Sequence, residues 1–147
     1  MSMIRPATAD DLPLLTAWEG DRDTAAWLGE TGLAWHEHSL ADPDQDHVVA
    51  EHDGAVTGFA VLAGLNGGDG VIELRRMVVD PGRRGPGQGR ALLRAALARA
   101  YEHHGAGRVW LDVRAANRRA QALYESEGFA VTGAVTAEDL IIMSHRR

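Results

Sequence analysis

The 147-residue chain contains no cysteine and no lysine. The first absence excludes disulfides, thiolate metal sites and a cysteine nucleophile together. The second removes the lysine that the phosphate loop of nucleotide hydrolases requires after its last glycine. Aromatic residues make up only 5% of the chain and the net charge is -6, so there is no obvious base-stacking platform and nucleic acid is not an expected partner. No apolar run approaches the length of a bilayer span, and the first residues lack the zones of a signal peptide. The expectation is one soluble, cytoplasmic domain over residues 1–147, with no membrane partner.

What is present is divided unevenly. Residues 1–70 carry thirteen Asp and Glu against Arg5 and Arg22, whereas residues 71–147 carry thirteen arginines against eight acids. Arg75, Arg76, Arg83, Arg84, Arg90 and Arg94 flank a glycine-rich segment, and such a field would attract a polyanion. The acidic half, with Trp18, Trp27 and Trp35, is expected to line the side of a second, cationic substrate. The seven histidines show no ligand spacing: His36 and His38 are two apart and His103 and His104 are adjacent, which reads as polar surface and no metal site.

Periodicity divides the chain into elements. Met3–Pro6 reads as a strand and Thr8–Trp18 as a helix with Leu12, Leu15 and Trp18 on its apolar stripe and Asp10 and Asp11 in its first turn. Residues 20–46 have weak periodicity and read as one or two short helices. Residues 47–52 and 55–62 form a hairpin about Asp53-Gly54; a flexible turn at residues 66–70 leads to a third strand, residues 72–79. A helix with Leu92, Leu93, Ala96, Leu97 and Ala100 on one face closes at Gly105. The strand 108–113 should run parallel to 72–79, because a helix separates the two. Asn117 then opens a helix stopping at Gly128, and residues 129–135 and 140–144 read as two last strands.

The strand 72–79 ends in Val78-Val79-Asp80-Pro81 and passes into Arg83-Arg84-Gly85-Pro86-Gly87-Gln88-Gly89-Arg90. Glycines at alternate positions allow a tight turn and close approach to a ligand, and the helix behind them offers free N–H groups and its positive dipole end to an anion. A dinucleotide fingerprint fails here, because counting from Gly85 the third glycine position is Arg90.

The pattern R-x-x-G-x-G at residues 84–89, and the block Asn117-Arg118-Arg119-Ala120-Gln121-Ala122-Leu123-Tyr124-Glu125-Ser126-Glu127-Gly128-Phe129, together resemble the GNAT superfamily of N-acetyltransferases. The stretch Leu111-Asp112-Val113-Arg114, with Asn117 and the ending around Glu138, Asp139 and Met143, is locally similar to the ribosomal-protein alanine N-acetyltransferases, which have glutamate in place of Asp112. The resemblance implies an α/β (α+β) GNAT fold: a mixed six- to seven-stranded sheet with a central, splayed parallel strand pair and helices on both faces. It also implies acetyl-CoA as co-substrate, a primary amine or peptide amino terminus as acceptor, and a possible homodimer. The alternative implied by the same resemblance is an inactive acyl-CoA-binding sensor or interaction module.

By that resemblance the cofactor-binding residues are Met77, Val78 and Val79 on the splayed strand, Arg84, Gly85, Gly87, Gln88, Gly89 and Arg90 in the loop, and Asn117 and Tyr124. Tyr124 would protonate the departing thiolate, although a tyrosine at such a place also serves as core. Asn117 is equally a good N-cap. A base is required because roughly one lysine-type amine in a few thousand is neutral at pH 7. Glu73, Asp112 and a water remain open for that role, with Glu73 placed eleven residues before Arg84 as in histone-acetylating members.

Overall fold

The computed structural model describes residues 2–83, 85 and 87–147, Ser2 by its backbone alone. The expectations for Arg84 and Pro86 lie outside the described residues. Runs rich in Val and Ile at period two become strands β1 (Ser2–Pro6), β2 (Gln45–His52), β3 (Ala55–Ala63), β4 (Val71–Val79), β5 (Arg108–Arg114), β6 (Ala130–Val135) and β7 (Leu140–Arg146). They form one mixed sheet in the order β1-β2-β3-β4-β5-β7-β6. The β2–β3 hairpin turns where expected, with Asp53 and Gly54 both at positive φ (51° and 84°), the requirement of its tight, right-twisted turn.

Two clusters of side chains cover the two faces. On one face Val48, Ala60, Leu62, Ile72, Leu74, Val109, Leu111 and Met143 pack under helix α4 (Gln88–Ala98), which contributes Leu93, Ala96 and Leu97. Helix α5 (Arg118–Ser126) joins that side through Ala120, Leu123 and Tyr124. On the other face Val49, Phe59, Val61 and Val78 pack under Leu12, Leu15 and Trp18 of helix α1 (Leu12–Trp18). Helix α2 (Arg22–Ala25) and helix α3 (Leu33–Ala41) complete the N-terminal half. Each fully buried leucine of these clusters contributes about 1.5–3 kcal/mol.

Three local features differ from the pattern of the sequence. The glycine-rich turn before β4 is fastened rather than flexible: the Asp44 carboxylate accepts from the main-chain N–H of Gly64 (3.2 Å) and Asn66 (2.7 Å). Helix α4 continues past Ala98 as a single wide π-type turn, Arg99–His103, that buries Ala100 and Tyr101. In β4 the alternation breaks, because Val61 pairs with Arg76 but Leu62 pairs with Leu74. Arg75 is the extra residue of a β-bulge, so Glu73 before it and Arg76 and Val78 after it share the face opposite Ile72 and Leu74.

The close fit of α4 on the sheet depends on Gly58 in β3. A Cβ placed there would stand 3.0 Å from the carbonyl oxygen of Val78 and 3.0 Å from Leu92 Cδ2. Gly58→Val is therefore expected to destabilise the protein by about 1–3 kcal/mol, the range for overpacking a core. A lowered urea midpoint at unchanged slope checks this; an unchanged midpoint would mean that β4 and α4 yield freely.

Candidate active site

The parallel strands β4 and β5 separate at a definite residue. Among the described residues, pairing between them is limited to Val71–Arg108, Ile72–Val109 and Glu73–Trp110. Past that point β4 pairs with β3, and β5 pairs with β7 as far as Arg114–Leu140. A wedge-shaped gap opens in the sheet, with Glu73 at its apex. The Asp80 N–H donates to Thr57 O on the β3 side (2.9 Å), so alternation turns the main-chain groups of Val79 and Met77 into the gap. Val78 does not face it: its side chain is buried under α1, and alternation directs its main chain toward β3.

The glycine loop meets the N-terminal end of α4 at the far end of the gap. Gly87 caps the helix at φ 86°, the left-handed conformation that favours glycine. The N–H of Gln88 reaches Gly85 O (3.3 Å) and that of Ala91 reaches Gly87 O (2.9 Å). The N–H groups of Gly89 and Arg90, in the first turn, have no intrahelical acceptor by helix geometry and point outward along the axis. This arrangement can take an anion.

Helix α5 carries the remaining candidates. The Asn117 side-chain oxygen accepts from Ala120 N–H (3.2 Å) and caps the helix, while buried Gln121 ties its start to β5 by donating to the carbonyls of Arg114 and Ala115. Tyr124 lies half-buried against Phe129, ring centroids 5.6 Å apart. Burial, with a smaller contribution from the negative charge of Asp112, pushes its hydroxyl up to about 12. Asp112 is exposed on the arm of β5 past the fork. Glu73 offers one carboxylate oxygen to Arg75 Nε (3.1 Å) and Nη2 (2.8 Å).

Among the described residues, each arginine of the set flanking the glycine loop stands beside a carboxylate. Arg75 folds onto Glu73, and Arg76 is buried on the α1 side because the bulge turns it there. Arg90 and Arg94 both bind Glu127 of the α5 end, bracing α4 to α5, and Arg83 stands 3.5 Å from Asp80. Several acids of the first half are likewise engaged away from the gap. Asp11 and Glu51 hold Arg5, Asp46 holds Arg99 and His104, and Asp42 and Asp44 bind main-chain N–H groups. Trp18 is core, stacked on Phe59, Trp35 lies under Arg76, and Trp27 alone of the three is exposed.

The reading of the histidines as polar surface is also corrected. His36 and His47 are buried, 0% and 3% exposed, in a chain of contacts: His47 Nε2 to His36 Nδ1 (2.8 Å), His36 Nε2 to Glu19 Oε1 (2.8 Å) and Arg76 Nη1 to Glu19 Oε2 (2.8 Å). Two signals in the sequence mark it. Glu19 directly follows the apolar stripe of α1, and two consecutive arginines interrupt the alternation of Ile72-Glu73-Leu74-Arg75.

Among the described residues, no three His, Asp or Glu side chains are gathered as a metal site, and no helix is long and apolar enough to cross a membrane. A cavity of about 610 Å³ runs along the opposite flank of α4, walled by Ile4, Ala50, Gly58, Leu92 and Ala95. It reaches Arg83 and Gln88 but includes neither Glu73 nor Tyr124, so the gap, not this cavity, gathers the reactive side chains.

Known proteins share this arrangement. Residues 12–129 match the acetyltransferase (GNAT) family. An uncharacterised N-acetyltransferase of Mycobacterium tuberculosis is 40% identical over 97 residues, 66% of this chain; the match spans 60% of that relative's length. The structure of aminoglycoside acetyltransferase AAC(6')-Ib in complex with coenzyme A superposes with a TM-score of 0.84 at 25% identity, covering 100% of this chain and 95% of the other. That of the ribosomal-protein-S18-alanine N-acetyltransferase from Escherichia coli gives 0.78 at 26% identity, covering 99% and 94%. With the family match extending over most of its residues, the splayed β4–β5 pair and the glycine loop at the head of α4, the chain belongs to the acetyltransferase (GNAT) family.

Proposed function

We propose that the protein is an acetyl-CoA-dependent N-acetyltransferase acting on a primary amine in a ternary complex. The observation that carries this is the fork at Glu73–Trp110 with unpaired β4 main chain leading from it to the α4 N-terminal end. Acetyl-CoA supplies an activated acyl group and a thiol that leaves. Met77 and Val79 offer main-chain hydrogen bonds to an amide-bearing arm laid along β4, replacing those a strand partner would make. The N–H groups of Gly89 and Arg90 receive the diphosphate at its end. The amide and diphosphate groups of such a ligand match these main-chain groups in chemistry.

The acceptor reaches the fork from the face of Glu73 and Asp112, while Tyr124 approaches from the α5 side. The Glu73 oxygen not engaged by Arg75 takes a proton from the ammonium, directly or through a water, leaving a lone pair for attack. A β4 main-chain N–H in the gap stabilises the negative charge that grows on the acetyl oxygen. Tyr124, held protonated by burial, donates to the sulfur as the carbon–sulfur bond breaks. Asp112 remains the competing base, one arm of the fork away. Residues 1–147 act as one domain in this reading.

The experiment is calorimetry with acetyl-CoA, followed by thiol release with spermidine, paromomycin and a peptide bearing an N-terminal alanine. Binding with amine-dependent release is the expected result. Binding without release from any amine would favour the inactive acyl-CoA-binding module. No binding at millimolar cofactor would remove the reading.

A further inference from the structure

The chemistry above makes no use of four buried polar side chains, Glu19, His36, His47 and Arg76, yet burying such groups is costly unless they are paired. They form one chain that ends on residues 19–32, between α1 and α3: His36 and Arg76 both bind Glu19, Arg76 also binds Glu30, and His47 joins through His36. Building on the acetyltransferase reading, we infer that Arg76 is a positioning residue for the acceptor: it fastens the 20–32 segment beside the fork and thereby sets the affinity for the amine.

The geometry is specific. Arg76 follows the β4 bulge and shares the face of Glu73. Its Nη1 donates to Glu19 Oε2 (2.8 Å), where the segment leaves α1, and its Nη2 donates to the carbonyl oxygen of Glu30 (2.6 Å), near the other end. The guanidinium lies 3.8 Å over the ring of Trp35, a cation–π contact that also fixes the plane of the fork. Glu19 completes the closure, since its Oε1 accepts from His36 Nε2 (2.8 Å) and from Gly32 N–H (3.4 Å). One planar group thus joins both ends of the segment to the strand that bears Glu73.

Within the segment Leu28 packs on the α1-side cluster, and the Asp21 carboxylate accepts from Thr24 N–H. Helix α2 within it is four residues long, far below the length at which a helix is stable by itself, and Trp27 and, just past it, Leu33 are 44% and 45% exposed. Loosening the Arg76 tie should therefore disturb the acceptor wall while leaving the cofactor groups, which lie on the far edge of β4 and on α4, in place.

Arg76→Lys keeps the charge but cannot serve two acceptors and a stacked ring at once. With the amine turned over fastest among spermidine, paromomycin and the alanine peptide, the acceptor KM should rise about tenfold or more, with kcat nearly unchanged. The acetyl-CoA Kd should stay within about twofold, and deuterium uptake should accelerate in residues 20–32 without change in α4 or α5. Should that variant not fold, Trp35→Leu, which retains the ion pair with Glu19 and the hydrogen bond to Glu30 O, carries the same split at smaller size. An unchanged acceptor KM, or unchanged exchange across residues 20–32, overturns the inference and leaves the acetyltransferase reading standing. A wild-type protein with no turnover on any amine would overturn that reading instead, while exchange still reports whether Arg76 holds the segment.

Discussion

Tyr124→Phe should lower kcat by roughly a hundredfold or more, the usual cost of losing a positioned proton donor, while the acetyl-CoA Kd changes little. The residue sits half-buried on α5 against Phe129, so the phenylalanine ring retains the packing and removes only the hydroxyl. Burial has already pushed that hydroxyl to about 12. A thiol of ordinary acidity, near pKa 8.5, is a much weaker base as thiolate than a tyrosinate of that kind, so complete proton transfer from Tyr124 would be uphill by roughly three to four units. The hydroxyl therefore acts chiefly through a hydrogen bond that strengthens as charge collects on sulfur, and the proton that finally rests on sulfur balances the second one that the nitrogen sheds as it becomes an amide. The sign of the pH dependence follows. A donor with a pKa near 12 is intact at every lower pH, so it contributes no alkaline fall in kcat below about pH 10.5. Single-turnover rates and calorimetry on the variant test the first statement, and the wild-type pH profile the second. A variant with the parental rate would take Tyr124 out of the mechanism, and an alkaline limb near pH 9 that disappears in Tyr124→Phe would contradict the effect of burial.

The strands and their parallel pair were readable because each rests on a local signal, whereas the fork between them came from the resemblance to a family. Asp53-Gly54 dictates a two-residue hairpin, the β4–α4–β5 succession demands a parallel pair, and Asn117 caps where a polar oxygen must meet a free N–H. The destinations of charged side chains were not readable, because they depend on partners distant in the chain. Arg76 lies 57 residues from Glu19 and Arg99 lies 53 from Asp46, and neither spacing has a pattern. The sign imbalance between the halves therefore suggested an acidic acceptor wall and a basic cofactor ring, whereas folding joins the two halves and cancels much of both. Arg75-Arg76 was legible as a break in alternation, but only the register with β3 identifies it as a bulge that sends Arg76 into the interior. For the candidate site the same division holds. Met77, Val79 and Glu73 came from the resemblance to a family, since the bulge breaks the alternation between them; the orientation of Val78 and the state of Tyr124 depend on pairing and burial that only the fold creates.

Between pH 7 and pH 4 the folded state should lose on the order of 3 kcal/mol, most of it through one buried histidine. His47 is held down to about 4 from an ordinary 6.5, first by burial and then by the proximity of His36. Its Nδ1 has no hydrogen-bond partner among the described residues, so a proton there would add an uncompensated charge to a closed site. In the unfolded chain the same imidazole takes up a proton as pH falls through 6.5. Below that point the unfolded state binds more protons than the native one, and linkage makes stability decline with falling pH until His47 titrates in the folded protein as well. The contribution is whole above about 6.5 and gone by about 4. Asp11 acts in the next window. Arg5 holds it at about 2, so its stabilisation is present above about 4 and disappears between 4 and 2. Urea midpoints measured across this range should fall in two successive stages, and His47→Gln should flatten the first while leaving the second. A wild-type midpoint constant from pH 7 to pH 4.5, or a first stage that survives the substitution, would show that His47 is not the group responsible. Because His47 bonds to His36, and His36 to the Glu19 carboxylate that Arg76 also binds, protonation should loosen residues 20–32 before the sheet opens, and acceptor KM should rise in acid ahead of global unfolding.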